Sequence, residues 1–469
     1  MRVSRITQEI RTIPPLNARE HDLGKDAPDA IRLVAGMLRR GEVGEALRER
    51  RRVATWSASE TGLHSPARIE ERGTAVRIRR DGQSLLIARS GSGPEALRDA
   101  VREAARRGGG APFFKAVRSA PEGASAQAPE LHPEGEVASA ALATALARAI
   151  PDPRGLSLSV QISRIVLERA VITPRDFLPC GDATRLEASG VINRPEGTRS
   201  FAFQSSGPFE TAVIALTSAL AEAIRPAPRV SPSEGVMDVV FSPSASAVFW
   251  HEVVGHPLEA AGGEGSSVLA RVLDAAVGPA GFDVIDDATR LDLPGGYVVD
   301  DEGVAARPVA LVRDGRVAGI LTDRRGAGPT GSNGHGRTPN YRRPPRARMS
   351  NLVVPPGEAT VAELLDRCGE GLYVTHISAG AADPESGRFV LFVDGAEMIR
   401  RGRLAAALTP FSLSGEILSA LGRVDPQRGN QSLPAIGLSV CIKGGDALPV
   451  GGSAPAVLVR SLKVRVSKR

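Results

Sequence analysis

The tightest constraint on this chain is the decapeptide Trp250-His251-Glu252-Val253-Val254-Gly255-His256-Pro257-Leu258-Glu259. It sets two imidazoles and a carboxylate within six residues, in a sequence that holds 7 histidines. A His-Glu pair followed by a second His is a way to hold a divalent zinc ion next to a base that can deprotonate water. The spacing here, His-Glu-x-x-x-His, is one residue longer than the His-Glu-x-x-His of the common zincins. At about 100° per residue on an α-helix, positions i and i+4 stand about 40° apart, whereas i and i+5 stand about 140° apart. Two ligands on one ion therefore require a perturbed helix, through an i→i+5 bulge or a break just before His256. Gly255 and Pro257 flank His256 and are the residues expected at such a distortion. Without it, the segment is an amphipathic helix that buries Trp250, Val253 and Val254 and exposes two histidines.

At 469 residues, with 42% hydrophobic and 24% charged residues, the chain has the make-up of a globular protein of two or three domains. No apolar run reaches the roughly 18 residues of a membrane-spanning helix. Met1–Thr7 is basic but lacks the apolar run of a signal peptide. Cys180, Cys368 and Cys441 are too few for a disulfide framework, so a reducing cytoplasm is the expected location. A net charge of +6 and a pI near 9.6 raise the question of nucleic acid. The excess sits in Arg-rich stretches such as Arg48–Arg52 and Arg342-Arg343, with aromatics at 4%. A solvated basic surface fits that pattern better than a nucleic-acid interface.

Residues 1 to about 65 carry helix-like Arg- and Ala-rich stretches. Thr74 to Arg89 reads as strand, Asp81-Gly82, strand, which is a hairpin signal. Pro94–Arg107 is an amphipathic helix with Pro near its start and Gly108–Gly110 beyond its end. Residues 108–134, rich in Gly, Pro, Ala and Ser, read as an internal linker. A helix at about 136–150, strands at about 157–173 and a helix over Glu210–Ile224 follow. The Pro-rich Arg225–Pro232 marks a boundary. Beyond it, Met237–Phe241 is a strand, and Ser242-Pro243 is an N-cap with Pro at the first helical position of the motif helix. Strands follow at Gly296–Val299, Ala310–Val312 with Asp314-Gly315 leading to Ile320-Leu321, Phe389–Val393 with an Asp394-Gly395 turn, and Ala456–Val466. The expected fold is α+β. An N-terminal α/β domain (1–230) packs helices on a sheet, and a mainly antiparallel β barrel or sandwich (231–469) carries one metal-binding helix.

A hydrolytic zinc site needs a third protein ligand and one open position. The candidates are Cys441, Cys368, His335, His376 and Glu259. Cys441 ends a strand that runs into Gly444-Gly445, although a lone Cys with apolar neighbours is as readily a packing residue. Gly326–Arg348 combines glycines with Arg337, Arg342, Arg343, Arg346 and Arg348. It lacks the Gly-Lys-Ser/Thr of a phosphate loop, and reads as a lid whose arginines grip a peptide carboxylate or as a solvated basic loop.

The motif helix, taken with Cys441-Ile442-Lys443-Gly444-Gly445, resembles the TldD/PmbA family of metalloproteases, also described as modulators of DNA gyrase. Pro345-Arg346-Ala347-Arg348-Met349-Ser350-Asn351 is similar to the family's Pro-Arg-Met-Ser/Thr-Asn stretch, and Asp383–Phe389 to its Asp-x-x-Ser-Gly-x-Phe. The resemblance spans about residues 235–469. It implies His251, His256 and Cys441 as zinc ligands and Glu252 as the catalytic base. It also implies a peptide substrate bound extended along a strand edge, and pairing with a related subunit that lacks the motif or with a second copy. Glu259 is then either an orienting neighbour of a ligand or a surface carboxylate. The rival expectation is a non-catalytic protein whose zinc is structural and which acts by binding a partner.

Overall fold

The computed structural model describes residues 22–59, 62–63, 67–80, 83–107, 117–118, 157–194, 197–205, 229–260, 267–326, 331–434 and 440–466. The expected helices at about 136–150 and Glu210–Ile224, and most of the 108–134 linker, lie outside these residues. The chain divides into two compact units. One comprises Met1–Thr198, Gly207–Ile224 and Asn340–Pro344; the other comprises Arg199–Ser206, Arg225–Pro339 and Pro345–Arg469.

The first unit is built on a mainly antiparallel sheet. Its adjacent strands include β1 (Val43–Ser59), β2 (Ala67–Arg80), β3 (Gln83–Ser90), β4 (Ser157–Ile172) and β5 (Phe177–Arg194), in the spatial order β3-β2-β1-β4-β5. These neighbours are antiparallel, and β2 and β3 pair in register across Arg80↔Gln83, on either side of Asp81-Gly82. Helices α1 (Ala27–Met37) and α2 (Pro94–Arg107) bury Ala30, Val34, Leu97, Ala100, Val101 and Ala104 in one cluster with Val76, Ile78 and Ile87 of the sheet. The Arg-rich stretch of β1 corrects the sequence reading, because it is neither helical nor solvated. Glu45 pairs with Arg77 and Arg79 at 3.2 and 2.6 Å, and Glu49 with Arg169 at 2.6 Å. Arg48, 1% exposed, reaches Asp26 at 2.8 Å. These charges lie against opposite charges on neighbouring elements, so a composition that favours a helix in isolation is held as strand.

In chain order the second unit contributes β6 (Gly235–Phe241), β7 (Gly371–Asp383), β8 (Arg388–Arg400), β9 (Phe411–Glu416), the hairpin strands β10 (Val440–Lys443) and β11 (Asp446–Pro449), and β12 (Val457–Arg465). Apart from the hairpin, these strands close on one another in the order β7-β6-β12-β9-β8-β7, a five-stranded barrel in which only β6 and β7 are parallel. Asp394-Gly395 is not a turn, because β8 runs through it. The dipeptide marks the point where β8 leaves β9 and pairs with Arg403–Leu408, and where its register with β7 shifts. A Cβ on Gly395 would stand 2.8 Å from the Cβ of His376, so the glycine is the residue that lets two strands cross at a barrel corner. Gly296–Val299 forms no strand and gives only the isolated bridge Val299↔Ala305.

Helix α3 (Pro243–Trp250) follows β6 directly. Ser242 is its N-cap, with the side chain accepting from the Ala245 N–H, and Pro243 is its first residue. Every side chain from Ala245 to Trp250 is buried, as befits a helix apolar on all faces inside a core. Phe241 stacks on Phe249 at 5.1 Å, Trp250 lies 4.7 Å from Phe282, and the indole N–H of Trp250 donates to Ser246 at 3.0 Å. The core that grips this helix includes Val239, Leu372, Val374, Leu391 and Val459 of the barrel. Its rigidity fixes what comes next in the chain. No helix among the described residues is long and apolar enough to cross a membrane.

Candidate metal centre

Immediately after Trp250 the helix widens. His251–Gly255 forms a single π turn in which the N–H of His256 donates to the carbonyl of His251. His256–Leu258 then tightens into a 3-10 turn. This is the i→i+5 bulge that the motif spacing requires. Pro257 ends the regular helix as expected, because it has no N–H to continue the ladder. Gly255 is needed for a different reason from the one its flexibility suggests. Its backbone is ordinary (φ −61°, ψ −62°), but a Cβ there would lie 1.9 Å from Sδ of Met349. It is a packing glycine.

The bulge brings the rings of His251 and His256 to a centroid separation of 4.8 Å, nearly perpendicular. The hairpin β10–β11 supplies the third group, with Sγ of Cys441 lying 3.4 Å from Nε2 of His256. One donor atom from each of His251, His256 and Cys441 falls within 4.8 Å of the others, and all three residues are buried. In a tetrahedral zinc site, bonds of about 2.0–2.3 Å put neighbouring ligand atoms roughly 3.3–3.6 Å apart. The 3.4 Å between Sγ of Cys441 and Nε2 of His256 matches that spacing, and the remaining separations, within 4.8 Å, are close to it. The donor chemistry fits too, since two imidazoles and a thiolate suit a borderline-soft ion such as zinc.

The electrostatics favour the thiolate form of the sulfur. Burial opposes charge on Cys441, but His251 and His256 outweigh it and bring the thiol down to about 5. Burial likewise opposes charge on His256, yet Glu259 and Cys441 raise it to about 10. Glu259 is itself buried, which alone would raise it, but His256, Lys443 and Arg348 hold it far below the ordinary carboxylate range.

Glu252 sits beside this trio on the π turn, 5% exposed. Gly380 of β7 faces it so closely that a Cβ there would lie 2.6 Å from its Cγ and Oε1. Its Oε2 has no hydrogen-bond partner among the described residues. Burial pushes the carboxyl up, against the lowering pull of His251 and His256.

The other sequence candidates for the third ligand lie elsewhere. His335 is fully buried and bonds Asp286 at 3.0 Å. His376 lies 3.8 Å from Asp394. Cys368 packs in a separate cluster with Val240, Leu364 and Leu458, where burial raises its thiol to about 11. The described part of Gly326–Arg348 is not solvated throughout, since Arg346 is exposed but two other arginines are not. Arg337 and Arg348 are buried and donate to main-chain oxygens, Arg337 to Met349 and Pro449 and Arg348 to Cys441 and Asp446.

The residues 348–351 that follow make sense as a brace. The N–H of Met349 donates to Glu259 at 2.9 Å, and that of Ser350 to Asp286 at 3.0 Å. Asn351 accepts from the N–H of Gly295 at 2.8 Å. Sequence reasoning missed Arg348 and Lys443 as parts of the site. Strand alternation gives a signal for Lys443, two residues beyond Cys441 and so on the same face of β10. Arg348 leaves no local signal.

The PmbA/TldA metallopeptidase C-terminal domain family matches residues 234–466, a span that contains the whole of this cluster. The chain belongs to the TldD/PmbA family. Over 257 residues this TldD/PmbA chain is 28% identical to a protein named Metalloprotease TldD homolog from Haemophilus influenzae, covering 54% of this chain and 53% of the relative. Over 235 residues it is 33% identical to a protein named Metalloprotease from Methanothermobacter thermautotrophicus, covering 50% and 51%. The chain thus spans about half the length of the curated relatives it matches. A solved structure of TldE from Thermococcus kodakarensis shares the fold, with a TM-score of 0.70 and 16% identity over 94% of this chain and 99% of that one.

Proposed function

We propose that this TldD/PmbA chain is a zinc-dependent peptidase that hydrolyses unfolded or small peptides, with His251, His256 and Cys441 as zinc ligands and Glu252 as the general base. The observation that carries this reading is the π turn, which brings two imidazoles to a buried thiol while leaving a buried carboxylate oxygen of Glu252 unpartnered beside them. The names of the curated relatives support it. Zinc held by two neutral imidazoles and one thiolate retains a net charge near +1 and supplies Lewis acidity. Glu252 accepts the proton of the attacking water at its free Oε2 and passes it to the leaving amine. A carboxylate raised by burial is suited to take that proton, because a higher pKa makes it the stronger base.

The substrate lies along β7. From Thr375 to Asp383 this strand pairs with β8 alone among the described strands, and Gly380 brings its backbone against Glu252. An extended peptide added to that free edge by main-chain hydrogen bonds runs past the carboxylate. The partner is a related subunit without the motif, in keeping with the fold shared with TldE, or a second copy of this chain. The reducing cytoplasm, which keeps Cys441 a thiol, is the compartment that suits the site.

The test is metal analysis of the purified protein, followed by incubation with unstructured peptides, alone and with the related chain, before and after chelation. Stoichiometric zinc and chelator-sensitive cleavage are expected. Tightly held zinc without cleavage under any of these conditions would instead support a structural zinc site in a binding protein.

A further inference from the structure

Glu259 is a second buried carboxylate in this site, and hydrolysis as described makes no use of it. It follows the 3-10 turn of His256 in extended conformation, and its side chain is 1% exposed. Four donor groups from three separate segments converge on it. Nδ1 of His256 lies 3.2 Å from Oε2, and Nζ of Lys443 lies 2.5 Å from the same oxygen. The N–H of Met349 donates to Oε1 at 2.9 Å, and Nε of Arg348 lies 3.3 Å from Oε1. Arg348 in turn donates Nη2 to the carbonyl of Cys441 at 3.2 Å and Nη1 to that of Asp446 at 3.4 Å.

The connectivity has a chemical consequence. With Nδ1–H donated to Glu259, His256 presents the lone pair of Nε2, and Nε2 is the atom that faces Sγ of Cys441. The tautomer of a ligating histidine is set by what its other nitrogen bonds. Meanwhile Arg348 and Lys443 tie the same carboxylate to both strands of the hairpin that carries Cys441. A buried carboxylate with no such task would be a net cost, since desolvation commonly exceeds what an ion pair returns.

We propose that Glu259, braced by Arg348 and Lys443, is a positioning residue that fixes His256 as the Nδ1–H tautomer and locks the Cys441 hairpin beside it. This assignment rests on the zinc reading above. The experiment measures Zn2+ affinity by chelator competition and the visible spectrum of the Co2+-substituted protein for wild type, Glu259→Gln, Arg348→Lys and Lys443→Met. Asp425→Asn serves as the control, because Asp425 is a buried carboxylate of the same unit, held by Arg367 at 2.8 Å.

Glu259→Gln is expected to bind zinc about 10- to 100-fold more weakly, with an altered Co2+ spectrum. Arg348→Lys, which keeps the charge but loses the planar fork, and Lys443→Met shift both readouts in the same direction by less. Asp425→Asn lowers stability but leaves both unchanged. Should Glu259→Gln fail to fold, Arg348→Lys and Lys443→Met decide the matter. Wild-type uptake of Zn2+ with unchanged affinity and spectrum in the variants overturns the positioning role alone. Wild-type protein that takes up neither ion overturns the zinc reading, and this role with it.

Discussion

Sδ of Met349 stands 1.9 Å from where a Cβ on Gly255 would be, so one residue of the brace fills the space that the π turn leaves empty. The two are 94 positions apart in the sequence, yet the side chain of Met349 leaves no room for a Cβ at Gly255. Gly255→Ala therefore forces either Met349 or the turn to move. Overpacking of this kind costs about 1–3 kcal/mol. Chemical denaturation is expected to show that loss, and the Gly255→Ala/Met349→Ala double variant to recover part of it. Strictly additive losses would show that the two residues are not in conflict.

Cys441→Ala is expected to lose most of its zinc affinity, because no other cysteine, histidine or carboxylate among the described residues groups with His251 and His256 in its place. Chelator competition on the refolded variant is the measurement. Stoichiometric zinc at wild-type affinity would remove Cys441 from the ligand set.

Glu252→Gln keeps shape and removes only the ability to take a proton. Zinc content and fold should stay as in wild type, while peptide hydrolysis falls on the order of 10²-fold or more. Near-normal turnover would mean that the attacking water is activated without this carboxylate.

Asp425 provides a test of stability against pH. Burial would raise its carboxyl, but the hydrogen bonds from Arg367 and the N–H of Gln427 outweigh that and lower it. A group whose folded-state pKa is depressed stabilises the protein above the unfolded value and loses that contribution as pH falls through the folded one. Wild type should therefore exceed Asp425→Asn in unfolding free energy by a constant margin near neutral pH. The margin should shrink as the pH drops below the ordinary carboxylate range. A margin independent of pH would show that the ionised carboxylate is not what stabilises this corner.

Much of the local structure is legible in the sequence because its causes lie within a few residues. Ser242-Pro243 caps and starts a helix, Pro94–Arg107 carries its own apolar stripe, and the strands around Asp81-Gly82 and Asp314-Gly315 are marked by their turns. Even the π turn is implied, since two histidines five positions apart cannot face one point on a regular helix. What the tertiary structure decided depends on residues far apart in the chain. Arg48–Arg52 became strand because Asp26, Glu168 and neighbouring strands offered partners that no local pattern announces. Asp394-Gly395 became a barrel corner because β8 changes neighbours there. His335 lies against Asp286, and Cys441 against His256 across 185 positions, where Glu259 bonds His256 and Arg348 bonds the carbonyl of Cys441. Local propensity costs little to satisfy and shows in composition. A buried charge or thiol is placed only by whatever compensates it, and that partner exists only once the fold has formed.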